Sequence, residues 1–317
     1  MPSTTSSPTV AAFDHRSVVR YTIITTVLGL AIMTAPALIG QPSEPAILVL
    51  TYGLLLGGSV LTARRAGPGG VRLLFRGLLR WRIGWVNAVV VLAAVPIATI
   101  GVAAVTGTYV APEAGWSPVI GSYLFSTLVF GALLINLWEE TGWQGMVQRH
   151  LMGRYGLLTG SVLTAVPFAI VHIPLQVRGT SSMREVLVNL GVLFAMAPAA
   201  RYLVGRTDSA TGGSLLAVGV LHASWNASGQ LSVVDGDVQY IVGLVVVAVM
   251  ALVVDVVRSR SGSGVLSEHR AQRLASTGGP VGGGQSDAGP ASPDRSGDVD
   301  RAHQIQPGLQ SHGDAIS

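Results

Sequence analysis

The sequence contains no cysteine and no lysine, and it has few charged residues of any kind. Without cysteine it can form no disulfide bonds, no zinc thiolates and no cysteine nucleophile. Charged residues make up 11% of the 317 residues, whereas soluble domains carry roughly 25%. Hydrophobic residues make up 49% and are concentrated in long runs. The composition therefore predicts an integral membrane protein.

The apolar runs are close to the ~20 residues that a membrane-spanning helix needs. They predict an all-α fold, a polytopic transmembrane helix bundle of about eight spans. Pro174 is predicted to close the fifth segment, and the seventh segment is short for a span. The predicted segments are 21–39, 46–63, 85–105, 123 to beyond 140, 157–173, 186–204, 215–228 and 240–257.

The regions outside these segments have different compositions. Residues 1–17 are rich in Ser and Thr and are predicted to be a disordered arm. Residues 258–317 contain few apolar residues and predict a disordered tail, because they cannot bury a core. The transmembrane domain is therefore predicted to cover residues 18–257.

One polar stretch between the second and third segments has a helical period. Arg72, Arg76 and Arg80 recur every four residues, with leucines between them. This pattern favours an amphipathic helix lying in the lipid headgroup region. An ordinary basic loop is the alternative.

The net charge of +4 is explained by membrane topology better than by a nucleic-acid partner. Arginine clusters, among them Arg201 and Arg206, fall in predicted loops on one side of the membrane, whereas Glu44, Glu113 and Asp235 fall on the other. The excess of arginine on one side predicts a multi-pass protein of the cell membrane with both termini in the cytoplasm.

Two adjacent carboxylates, Glu139 and Glu140, follow the fourth apolar run. Ionisable groups at such a position are costly, which makes them candidates for function. On a helix their side chains point about 100° apart, so they cannot both face one small cavity. The alternative is a surface pair at a helix end.

Two later segments also carry polar side chains. His172 follows Phe168 by one helical turn, and His222 and Asn226 share a helix face at i, i+4. Taken alone, His172 is typical of an interfacial residue, and the His222–Asn226 pair is compatible with a structural hydrogen bond between helices.

The three patterns together resemble the CAAX prenyl protease and bacteriocin-processing family of intramembrane proteases. The family pattern is Glu-Glu-x-x-x-Arg, then Phe-x-x-x-His, then His-x-x-x-Asn or His-x-x-x-Asp. One position departs from it, because Gln144 stands where the family has Arg. Gln is neutral and cannot hold a carboxylate by charge. Arg149 is more than a turn away and is not assigned as its substitute.

The resemblance implies an intramembrane endopeptidase that cuts peptides or proteins at the membrane. Glu139 would be the general base on a water that His172 positions, and Glu140 would be accessory. His222 and Asn226 would donate hydrogen bonds to the developing oxyanion. The cofactor would be none or zinc, with Glu139, His172 and His222 as zinc ligands. The alternative is a non-catalytic relative that acts in bacteriocin immunity, scaffolding or regulation.

The depth of Glu139 follows from where His172 lies. His172 is about 15 residues, or ~22 Å, past the cytoplasmic start of the fifth segment. A Glu139 at the membrane surface could not reach it. We therefore expect the fourth helix to continue to about Leu151, with Glu139 inside the membrane in a water-filled cavity open to the cytoplasm.

Overall fold

The computed structural model describes residues 13–236 and 238–260, and within them the regular elements are all helices. Seven of these helices are long and apolar enough to cross a membrane. The predicted all-α polytopic bundle is confirmed. The helices are α1 (His15–Leu38), α2 (Glu44–Arg65), α3 (Pro68–Phe75), α4 (Trp85–Thr106), α5 (Trp116–Tyr155), α6 (Leu157–Val177), α7 (Met183–Ala210), α8 (Leu215–Ser228) and α9 (Gln239–Arg260).

The helices begin and end where the local sequence favours it. Ser182 and Ser214 precede α7 and α8, and their hydroxyls accept hydrogen bonds from the backbone N–H groups three residues later. These contacts satisfy otherwise unpaired donors of the first turn. Gly156, with φ +83°, separates α5 from α6 in a conformation that glycine adopts without strain.

Several predicted segments are too short. Helix α5 begins at Trp116 rather than Tyr123 and continues through the carboxylates to Tyr155, so the prediction of a long fourth helix is confirmed. Pro174 does not end α6, which continues to Val177. A proline in a membrane helix is tolerated where neighbouring groups satisfy the freed carbonyl.

Helix α7 changes the assignment of two arginines. It extends to Ala210, so Arg201 and Arg206 lie inside it and not in a loop. Arg201 is 1% exposed. The loop prediction was wrong for both. Arg201 already lay within the predicted apolar segment 186–204, and Arg206 lay just beyond its predicted end.

The predicted amphipathic helix is also shorter than its arginine spacing suggests. Helix α3 ends at Phe75, and turns follow it. The Gly77 carbonyl accepts from the Leu215 N–H at 3.1 Å, and a Cβ on Gly77 would lie 2.2 Å from the Gly213 carbonyl oxygen. This close contact with the loop before α8 replaces the helix that the spacing predicted.

The two predicted termini fall mostly outside the described residues. Helix α1 begins at His15 and α9 ends at Arg260, each within one helical turn of the predicted boundary. Residues 1–12 and 261–317 lie outside the described part of the chain, so disorder there stays a prediction.

The short helix α8 lies inside the bundle. Its 14 residues span only ~21 Å. It packs against α5 and α4, and most of its residues are buried. Glycines allow this packing, because a Cβ on Gly219 would lie 3.0 Å from the Leu137 Cα and one on Gly131 would lie 2.5 Å from the Ala223 Cβ. Large apolar side chains on α1, α4 and α9 face outward, as lipid contact requires.

Candidate active site

The carboxylates of Glu139 and Glu140 lie well inside α5, far from either end. Glu139 is 6% exposed and Glu140 is fully buried. They occupy a short α-helical turn, Leu137–Glu140, between two stretches with wider i→i+5 turns, Ser126–Asn136 and Thr141–Gln148. Wide turns of this kind frequently mark functional sites in helices.

Glu140 is held by two cationic or polar side chains from other helices. Arg201 Nη1 donates to its Oε1 at 2.8 Å and to its Oε2 at 3.1 Å. His222 Nδ1 lies 2.9 Å from Oε1. Helices α5, α7 and α8 therefore meet at this carboxylate.

Arg201 is itself fixed on several sides. Its Nε donates to Gln148 Oε1 at 2.7 Å, and Gln148 Nε2 donates to the Arg201 carbonyl at 2.6 Å. Its guanidinium carbon lies 5.3 Å from the centre of the Phe168 ring, a cation–π distance. Arg201, which lies on α7, thus places beside Glu140 the positive charge that the neutral Gln144 cannot supply.

Glu139 has much weaker support. Asn136 Nδ2 donates to its Oε2 at 3.1 Å, and its other oxygen has no hydrogen-bond partner among the described residues. Asn226 Nδ2 donates in turn to Asn136 Oδ1 at 3.5 Å, which is long. A neutral amide on its own helix is therefore its one described donor.

The Phe168 ring connects the two histidines. Its centre lies 4.4 Å from the His172 ring and 6.1 Å from the His222 ring. His222 also stacks on Trp225, with ring centres 5.4 Å apart. Glu139, His222 and Arg201 all lie close enough to His172 to interact with it electrostatically.

The tautomer of His172 follows from its backbone contact. Its Nδ1 lies 2.7 Å from the Phe168 carbonyl oxygen. A carbonyl only accepts, so Nδ1 carries the proton and Nε2 presents its lone pair while the ring is neutral. His172 can therefore accept a proton or a hydrogen bond from water.

The three predicted zinc ligands, Glu139, His172 and His222, do not form a metal-binding group. Across residues 13–236 and 238–260, no three His, Asp or Glu side chains are arranged to hold an ion. Both imidazole Nδ1 atoms are engaged by protein acceptors, which leaves each Nε2 open, as in zinc-binding histidines. Among the described residues these side chains do not converge on one ion position, so zinc binding stays a prediction from the sequence.

Residues 121–228 match a family model described as type II CAAX prenyl endopeptidase Rce1-like. In this segment the chain is similar to the Rce1-like endopeptidases. The resemblance inferred from the sequence is confirmed. The Rce1-like segment runs from α5 to the end of α8 and contains all five predicted site residues and Arg201. A search of curated proteins found no match.

Three side chains of the Rce1-like segment were missed by the sequence patterns. Arg201 was assigned to a loop, and Gln148 and Asn136 belong to no motif. Asn136 lies three residues before Glu139, so helical spacing could have found it. Arg201 and Gln148 are distant in sequence from their partners and required the packing of α7 against α5.

Proposed function

We propose that this protein is an intramembrane endopeptidase that hydrolyses peptide bonds of membrane-associated peptides or proteins. The observation that carries the proposal is the unequal pair of carboxylates in the bundle interior. Glu140 is neutralised by Arg201, whereas one oxygen of Glu139 has no hydrogen-bond partner among the described residues. Glu139 lies within electrostatic range of His172. A buried carboxylate without a cationic partner, beside an imidazole acceptor, suits activation of water.

In the proposed reaction Glu139 takes a proton from a water molecule that His172 Nε2 orients. The resulting hydroxide attacks the carbonyl of the scissile bond to form a tetrahedral intermediate. The intermediate collapses by breaking its C–N bond, and Glu139 returns the proton that it took from water to the leaving amine nitrogen. Asn226 Nδ2 donates to the developing oxyanion, and His222 donates from Nε2 when it is protonated. The carboxylate of Glu140 would stabilise that protonated imidazole.

The neutral Gln144 is compatible with the alternative of a non-catalytic relative. Arg201 favours catalysis instead, because a guanidinium still faces the second carboxylate. We therefore propose the endopeptidase as the function of this protein.

Cleavage by the purified protein tests the proposal directly. Wild type in lipid vesicles is incubated with a farnesylated peptide ending in a CAAX box and with a panel of unmodified hydrophobic peptides, and products are identified by mass spectrometry. We expect Glu139→Gln to lower cleavage by about 10²- to 10⁴-fold. Glu113→Gln, a change of the same type in an exposed loop, should retain activity. Identical product profiles for wild type and Glu139→Gln would contradict the proposal.

The proposed reaction needs no metal ion. After exhaustive chelation, with residual metal measured, cleavage should continue at the same rate. Loss of activity that zinc alone restores would contradict this part of the proposal.

We also propose that both termini face the cytoplasm, which requires α8 to make an eighth crossing beside the seven longer helices. The Gly77 carbonyl accepts a hydrogen bond from the start of α8, and the Thr108 carbonyl, at the other end of α4, accepts one from the loop after α8. The chain has no cysteine, so single-cysteine variants report accessibility without background. Glu113→Cys should react with an impermeant maleimide in intact cells, and Ala66→Cys only after permeabilisation. The reverse pattern would overturn the assigned orientation.

A further inference from the structure

The protonation of Glu140 is decided by its partner on α7. The guanidinium of Arg201 is always charged, and its Nη1 contacts both oxygens of the carboxylate. A carboxylate facing such a cation remains ionised, and an ionised carboxylate can only accept hydrogen bonds.

The proton on His222 follows from this. Its Nδ1 lies 2.9 Å from Glu140 Oε1, and because that oxygen can only accept, Nδ1 must donate. The proton of the neutral ring is therefore on Nδ1, and Nε2 has no hydrogen-bond partner among the described residues. The carboxylate sets the tautomer of the imidazole in the same way as in catalytic triads.

Several contacts besides Glu140 hold Arg201 in this position. Gln148 binds both its Nε and its backbone carbonyl, and Phe168 lies against its guanidinium. Gln148 is further anchored by donating to Ser161 Oγ on α6 at 3.1 Å. The guanidinium is thus fixed by α5 and α6 as well as by its own helix.

We propose that Arg201 is a positioning residue: it keeps Glu140 ionised, and through Glu140 it fixes His222 with the proton on Nδ1 and Nε2 presented to the site. With His172 fixed by the Phe168 carbonyl, both imidazoles then present Nε2. The catalytic consequence rests on the proposed endopeptidase function, but the proton assignment does not.

The proton assignment is tested by ¹⁵N spectroscopy of histidine-labelled protein in detergent micelles near neutral pH. The His222 signals are identified by their absence from His222→Gln. Wild type should give the pattern of a ring protonated on Nδ1. Arg201→Met should move His222 to a mixture of tautomers, and Arg201→Lys should keep the wild-type pattern. Arg149→Met, the same change at the Arg149–Asp208 ion pair, should leave it unchanged.

A merely structural role for Arg201 makes a different prediction. Removing one partner of a buried ion pair destabilises, whereas replacing both by apolar groups is often tolerated. The double variant Glu140→Met/Arg201→Met should therefore recover folding but not the His222 tautomer. With a cleavable peptide, its kcat should stay about 10²- to 10⁴-fold below wild type, with KM little changed.

Two results would overturn the proposal. One is a His222 pattern in Arg201→Met that matches wild type. The other is recovery of kcat together with folding in the double variant. If wild type cleaves no peptide at all, the endopeptidase function fails, and the spectra alone still decide the role of Arg201.

Discussion

Glu139 and Glu140 are adjacent in the chain and face different chemical surroundings. Glu140 is held by a guanidinium and an imidazole from two other helices, with a closest contact of 2.8 Å. Glu139 has one neutral amide donor from its own helix. The helical rotation between neighbours separates a carboxylate committed to holding the bundle together from one available for chemistry.

The largest expected difference between the two positions is in stability. Glu140→Gln leaves the buried charge of Arg201 without an anion, so we expect the free energy of unfolding to fall by about 3–5 kcal/mol. Glu139→Gln removes no ion pair and should cost less than about 1.5 kcal/mol. Denaturant unfolding of both variants in the same detergent measures the difference. If both variants lose the same free energy of unfolding, or Glu139→Gln loses more, Glu140 is not the carboxylate that stabilises the bundle.

A smaller effect is expected from the support behind Arg201. Gln148→Leu removes the acceptor of Arg201 Nε and the donor to its carbonyl. Leaving these buried groups unpaired should lower the free energy of unfolding by about 1–3 kcal/mol. Gln41→Leu, a change of the same type at an exposed loop residue, provides the control for the loss of an amide. If the Gln148 variant is as stable as this control, the hydrogen bonds between Gln148 and Arg201 do not contribute to the stability of the protein.

The Arg149–Asp208 ion pair lies outside the candidate site and provides a less buried counterpart of the Glu140–Arg201 pair. It joins α5 to α7 like the Glu140–Arg201 pair, with an N–O distance of 2.6 Å, but its side chains are 15% and 9% exposed. Asp208→Asn should therefore cost about 1–2 kcal/mol, between the values for exposed and buried pairs. Cleavage per folded molecule should be unchanged. A loss as large as that of Glu140→Gln would show that burial does not separate the two pairs.

The smallest expected effect on stability is at Asn136. Asn136→Leu removes the one described donor to Glu139 and should cost up to about 1.5 kcal/mol. If this bond orients the reactive carboxylate, kcat should fall by up to about tenfold. The paired measurement of kcat and unfolding separates this effect from misfolding. An unchanged kcat would show that Asn136 does not position Glu139.

The sequence predicted the parts of this architecture that depend on local patterns. Apolar length located the spans, and i, i+4 spacing grouped His222 with Asn226 and Phe168 with His172. The position of Glu139 in the interior of a long helix followed from simple helix lengths. The identity of each motif residue could therefore be predicted from the sequence alone.

The ion pair between Arg201 and Glu140 could not be predicted from such local patterns. Arg201 lies 61 residues from Glu140, and helical spacing carries no information about contacts between helices. The arginine count for topology placed Arg201 in a loop, although this residue lies within the predicted sixth segment, 186–204. The turn after Phe75 was missed because it depends on the packing of Gly77 against the loop before α8.

The depth of the carboxylates within α5 limits the shape of any substrate. Glu140 lies nine residues from Arg149, or ~13 Å along the helix axis. An extended peptide advances about 3.3 Å per residue. On the proposed function, a polypeptide that approaches from the Arg149 end would need about four extended residues to cover this distance to Glu140. Loose chain ends would then reach the carboxylates, and folded domains would not.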